Sequence, residues 1–193
     1  TTAIASAMGA KLAVTEEERV AQQAAQSLTA YDLLMRGRYL YWQGWLEWNF
    51  HEMQAEAQSF FERAIETSPR FAPAFAWLAM IHWSGWYSPS DASPQSLAEA
   101  EQAARRSVSL DPELPFAYVA LGSAHMQRGE HSDAIASVRH AIELDPSFAY
   151  AYRLMGFFLA ESGEPDEAIA VIEKGMRLSP RDPLLFRFLT AKG

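Results

Sequence analysis

In the second half of the chain, apolar positions fall three and four residues apart in two short runs, and then the same two runs return. The stretch AYVALGSAHMQRGEHSDAIASVRHAIELDP aligns without a gap with AYRLMGFFLAESGEPDEAIAVIEKGMRLSP. Small residues coincide at Gly122 and Gly156, Ala134 and Ala168, and Ala141 and Gly175. Large apolar ones coincide at Tyr118 and Tyr152, Leu121 and Met155, and Val138 and Ile172. That spacing predicts amphipathic helices in pairs, split by a turn at Gly129 and Gly163. A short helix of this kind is marginal alone, so each pair must stack on the next to bury its apolar stripe. The small positions mark close helix crossings, where a larger side chain would force the axes apart. Proline closes each unit, since it lacks the N–H that would continue the helix and biases its predecessor away from helix.

Measured from proline to proline, the period is 34 residues from Pro112 to Pro146 and again from Pro146 to Pro180. Earlier units are longer, with Pro69 to Pro112 spanning 43 residues and Ala30 to Ala72 spanning 42. The pattern predicts units at about 30–71, 72–114, 115–148 and 149–182, with a partial fifth at 183–193. The extra residues of the first two units are expected between their helices, around Trp42-Gln43-Gly44-Trp45 and Trp83-Ser84-Gly85-Trp86. Gly44 and Gly85 read as helix ends, and Asn49 and Ser93 as the caps of the helices that follow. Residues 1–28 precede the array as leading helices or a linker. Ile4, Met8 and Leu12 form one stripe there, and Thr15 to Glu18 form a capping box that opens another helix.

The pattern resembles the tetratricopeptide repeat, with period 34 and signature W-x2-L-G-x2-Y, A-x3-F, P. The third unit matches at Tyr118, Leu121, Gly122, His125, Ala134, Val138 and Pro146, and the fourth at Tyr152, Met155, Gly156, Leu159, Ala168, Ile172 and Pro180. The resemblance implies an all-α solenoid of stacked antiparallel helix pairs over residues 29–193. AYDLLMRGRYLYWQ, ERAIETSPRFAPAFAWLAMIHWSGWY and AEQAARRSVSLDPELPFAYVALG look like the C-terminal repeat regions of bacterial adenylate/guanylate cyclases and winged-helix transcriptional regulators. A chain that starts at Thr1 without methionine and stops inside a predicted helix then reads as an excised piece of such a signalling protein. The implied location is the cytoplasm, or the periplasmic side of a membrane-anchored regulator.

Composition narrows the chemistry. Net charge is −8, with 24 acidic and 16 basic residues, which opposes the phosphate contacts that nucleic acids require. No apolar run approaches a membrane span. The absence of cysteine excludes disulfides, thiolate metal sites and a cysteine nucleophile. No phosphate loop, G-x-S-x-G or H-E-x-x-H is present. His82 and His125 share a repeat position and invite a metal reading, but two histidines leave the coordination short. His51 falls in a first helical turn, and His131 and His140 are placed on opposite faces. The sequence thus predicts no catalytic residue, no cofactor and no metal.

Binding is the expected role. In proteins of the resembled family the first helix of each pair lines the concave face. Carried over by register, the groove takes Tyr41 with Trp42, then Met80 and Trp83, then Phe116, Val119, Ser123 and Met126. Gln127 follows there, and Tyr150, Arg153, Phe157 and Glu161 complete it. Such a surface suits a protein or peptide with an apolar or amphipathic segment, because methionine adapts and aromatics bury much area. Alternatives are a small apolar ligand, self-association into a homo-oligomer, and intramolecular docking by the chain's own helices. Ala76, Met80, Val119 and Ala120 stand where the family's chaperone-tail binders carry a carboxylate clamp, so that ligand is disfavoured.

Overall fold

The computed structural model describes residues 2–47, 50–84 and 93–180. Among them are eight helices and no strand: α1 (Thr2–Glu47), α2 (Phe50–Thr67), α3 (Ala72–Ser84), α4 (Pro94–Leu110), α5 (Pro115–Gln127), α6 (His131–Leu144), α7 (Ala149–Glu161) and α8 (Pro165–Leu178). Consecutive helices pair as α1/α2, α3/α4, α5/α6 and α7/α8, and the second helix of each pair packs on the first of the next. First helices also touch in sequence, α1 with α3, α3 with α5 and α5 with α7. The result is an all-α solenoid.

The crossings occur at the small residues. A Cβ on Gly122 would lie 2.7 Å from Val138 Cγ2 and 2.9 Å from the Ala134 carbonyl oxygen, so α5 and α6 touch through backbone. Gly156 meets Ile172 and the Ala168 carbonyl in the same way, one pair later. In the first pair Gly37 lies against the ring of Phe61. Val138, Phe61 and Ile172, each 1% exposed or less, fill the inter-helix space around these contacts.

Turns repeat as faithfully as crossings. Gly129 (φ 75°) and Gly163 (φ 83°) take the left-handed conformation after α5 and α7. The Glu130 amide donates to the His125 carbonyl at 3.0 Å and the Gly129 amide to the Met126 carbonyl at 3.0 Å. Glu164 and Gly163 donate to Leu159 and Ala160 in the same pattern. This paired closure satisfies carbonyls at the helix end and turns the chain into the next helix. After α6, Asp145 Oδ1 accepts from the Ser147 amide and hydroxyl (2.9 and 2.6 Å), and Asp111 Oδ1 accepts from the Glu113 amide after α4. These bonds hold the Asp145 carboxyl below its ordinary pKa, the Ser147 hydroxyl foremost and its amide next.

Two expectations fail in the first pair. The helix continues through Thr15 to Glu18, where the capping box predicts the start of a second leading helix, and through Gly44, which reads from sequence as a helix end. Residues 10–36 contain neither glycine nor proline and are rich in Ala, Glu, Gln and Leu, so nothing interrupts the helix. A lone glycine costs a helix only about 1 kcal/mol, less than burying Tyr41 gains. The additional residues of this unit therefore lengthen helices instead of a loop. In the second unit the residues expected to form the longer break, 85–92, lie outside the described residues. Ser93 caps α4 by accepting from the Ser96 amide at 3.1 Å. Asn49, Gly85, Trp86 and the partial unit 183–193 lie outside the described residues.

Candidate binding groove

Along α1 and at the starts of α3, α5 and α7 the solenoid opens a groove of about 730 Å³. Its walls include Tyr31, Leu34, Arg38, Trp42 and Leu46 from α1, with Pro73 and Trp77 from α3. Leu114 and Phe116 at α5, Phe148, Tyr150 and Arg153 at α7, and Ser179 complete them. The volume is that of a pocket for a small ligand or a few peptide side chains.

Four rings, one from each first helix, build the floor. Trp42 and Trp77 meet edge to face at 5.9 Å, Trp77 stacks on Phe116 at 4.4 Å, and Phe116 lies 6.1 Å from Tyr150. Trp42 closes the circuit to Tyr150 at 5.5 Å. Rings at such separations hold one another in place beyond simple burial. At the rim Tyr31 and Leu46 remain 52% and 43% exposed, so apolar surface is open there. Two cations flank the floor. The Arg38 guanidinium lies 5.3 Å over Trp77, and that of Arg153 lies 4.4 Å over Tyr150 and 5.8 Å over Trp42. Among the described residues, no carboxylate lines it.

Of the residues placed in a groove by register, Phe116, Tyr150 and Arg153 line this one, as does Trp42. Tyr41, Met80, Trp83, Val119, Ser123 and Met126 do not, being at most 3% exposed. Phe157 is half-buried against Trp83 at 6.0 Å and lies outside the groove. The reason is that α3 and α5 are apolar around most of their circumference. Helix α5 is covered by α3, α4, α6 and α7, so faces assigned to the concave side are consumed by neighbouring helices. The opening survives along the last third of α1 and toward the N-termini of α3, α5 and α7. Sequence reasoning missed Arg38, Trp77 and Phe148. A large aromatic near the start of α3, α5 and α7 was the available signal, but Trp77 sits about one turn further along its helix than Phe116 does, and register alone hides it.

The Tetratricopeptide repeat family profile matches residues 125–191. Among solved structures, PilF of Pseudomonas aeruginosa is 16% identical with a TM-score of 0.61, covering 86% of this chain and 69% of its own. A thermophilic TPR protein of Thermus thermophilus is 20% identical at TM-score 0.51, covering 84% and 98%. The fold is a tetratricopeptide-repeat solenoid. The O-GlcNAc transferase of Thermobaculum terrenum is 20% identical at TM-score 0.59; the match covers 79% of this chain and 26% of that enzyme. At these identities the likeness is one of fold. No curated protein gives a significant match. TPR solenoids are protein-interaction scaffolds whose extended concave surfaces hold partners.

Four histidines, His82, His125, His131 and His140, have described contacts within the solenoid. His125, 8% exposed, shares a 2.6 Å hydrogen bond between Nδ1 and Glu130 Oε2. Arg128 donates to Glu130 Oε1 at 2.8 Å and pairs with Glu101 at 3.0 Å, tying α4 to the α5–α6 turn. The hydrogen bonds from His125 and Arg128 hold the Glu130 carboxyl below its ordinary pKa. Asp133 completes a trio whose ligand atoms lie within 4.8 Å of one another. The guanidinium on Glu130 already supplies the positive charge a cation would bring, so the trio reads as an ion-pair network. His82, the equivalent of His125 by register, has its carbonyl bonded by Gln127 Nε2 at 2.9 Å. Burial pushes its imidazole pKa down, against the opposing influence of Glu99 and Glu62. His131 contacts the Ser162 hydroxyl at 3.1 Å, and His140 packs edge-on to Tyr118 at 4.4 Å.

Proposed function

We propose that this chain is a non-catalytic interaction module that holds a segment of a partner protein in the aromatic groove across α1, α3, α5 and α7. The observation that carries this reading is the continuous ring floor from Trp42 to Tyr150 beside open apolar walls at Tyr31 and Leu46. Preorganised rings bury area with little loss of side-chain freedom on binding. The sequence resemblance to cyclase- and regulator-linked repeats supports a place in a larger cytoplasmic signalling protein, where occupancy of the groove would be read by a linked domain. No helix of the described residues is long and apolar enough to cross a membrane.

Selection of a phage-displayed random dodecapeptide library on the 193-residue chain tests the reading. Enriched peptides should bind the wild type, lose about tenfold or more with Phe116→Glu, and tolerate Gln102→Lys on the exposed side of α4. Failure to enrich any peptide, or equal binding to the Phe116→Glu variant, would count against the groove.

A further inference from the structure

The groove holds a guanidinium, that of Arg38, with no carboxylate beside it among the described residues, in a chain that has acidic residues to spare. Arg38 is half-buried, its guanidinium covers the Trp77 ring, and its Nε has no hydrogen-bond partner among the described residues. The polar contact it does make is a long 3.6 Å approach of Nη1 to the Met35 sulfur. A few residues away on α1, Arg36 pairs with Asp32 at 2.9 Å on the exposed face. Arg105 and Arg128 have carboxylates as well. Removing a guanidinium from water without a carboxylate is unfavourable, and stacking on a ring offsets only part of the loss. Arg153 adds a second positive charge above Trp42 and Tyr150. With no carboxylate among the described lining residues, Arg38 offers a local positive charge on a molecule of net charge −8.

Resting on the groove as a peptide site, we infer that its occupant is a partner-protein segment in which an aspartate or glutamate stands beside aromatic or aliphatic residues. The carboxylate engages Arg38, and the apolar neighbours cover the ring floor. A stacked guanidinium is held in plane and presents fixed N–H donors, which favours a planar carboxylate. The molecule's remaining negative charge disfavours poorly matched acidic segments, so the acidic residue must coincide with Arg38. Charge also argues against the chain's own last residues as occupant: RDPLLFRFLTAKG carries Arg181, Arg187 and Lys192 against Asp182.

The peptides enriched from the dodecapeptide library provide the probe. The expected consensus places Asp or Glu within about two residues of Phe, Tyr, Trp or Leu. Replacing that acid by Asn or Gln in a synthetic copy should weaken binding about tenfold or more, the usual worth of a charge-assisted hydrogen bond. Arg38→Gln should weaken the acidic peptide by a similar factor and leave the amide copy unchanged, and Arg38→Lys should fall between. The acid-to-amide arm leaves the protein untouched, so it stands even if a variant is unstable. Groove-directed peptides that are neutral or basic, or equal affinity for acid and amide copies, would overturn this inference while sparing the groove. Peptides insensitive to Phe116→Glu would instead remove the groove. Displacement of the selected peptides by a synthetic peptide of residues 181–193 would assign the site to the chain's own tail and overturn the partner assignment.

Discussion

Gly122 offers the sharpest perturbation of the repeat geometry. Its missing side chain lets α5 touch α6. A methyl group there would lie 2.7 Å from Val138 Cγ2 and 2.9 Å from the Ala134 carbonyl oxygen. Neither neighbour yields easily, because Val138 is fully buried and the oxygen belongs to a helix backbone. Overpacking of this kind costs about 1–3 kcal/mol, and the better helix propensity of alanine returns about 1 kcal/mol. Gly122→Ala should therefore destabilise by about 0–2 kcal/mol. Gly122→Leu adds three more carbons with no room and should cost about 2–4 kcal/mol. Val138→Ala alone should cost about 2 kcal/mol as a cavity. Combined with Gly122→Ala it should cost at least about 1 kcal/mol less than the sum, since the methyl that clashes has been removed. Urea unfolding followed both by far-UV circular dichroism and by tryptophan fluorescence measures these differences. Two probes are required because repeat arrays can lose cooperativity. A Gly122→Leu protein within about 0.5 kcal/mol of wild type would show that α5 and α6 do not cross here.

Other outcomes follow from single contacts. Ser107, fully buried on α4, donates to the Ala72 carbonyl at 2.8 Å and ties the end of one helix to the start of α3. Ser107→Ala should cost about 1–2 kcal/mol in urea unfolding. Gly129→Ala and Gly163→Ala meet no neighbouring atom, so each should cost about 1 kcal/mol from the left-handed backbone alone and leave the core unchanged by NMR. The lowered pKa of half-buried His82 means that the unfolded chain takes up its proton first. Stability should then fall as the pH drops below about 6.5 and level off under the folded pKa, and thermal melts of His82→Gln should show a smaller decline in that window.

The repeat was legible because its signals are backbone requirements. Gly122, Gly156, Ala134 and Ala168 are small since helices touch there, and Gly129 and Gly163 are glycine since the turn needs positive φ. Such constraints act on residue identity directly and recur with the period. The open face was less legible. Met80, Trp83, Val119 and Met126 are as apolar as Phe116 and Tyr150, and only the packing of neighbouring helices on α3 and α5 separates the buried ones from the part-exposed ones. The length of α1 was obscured for another reason. A capping box at Thr15 and a glycine at 44 are compatible with helix interiors when no proline enforces the break, and the intervening residues favour helix. Arg38 carried no sequence signal of its own. Its meaning depends on finding no carboxylate around it once the chain has folded.

Because the natural chain contains no cysteine, single cysteines can report on the groove without interference. Cysteines placed singly at Leu46, Leu114 and Phe148 on the groove wall, and at Gln102 and Arg139 on exposed helix faces, would be timed against a maleimide with and without saturating selected peptide. Binding across α1, α3, α5 and α7 predicts slowing of about tenfold or more at the wall positions and unchanged rates at the other two. Protection at Gln102 or Arg139 with the wall positions still fully reactive would contradict it.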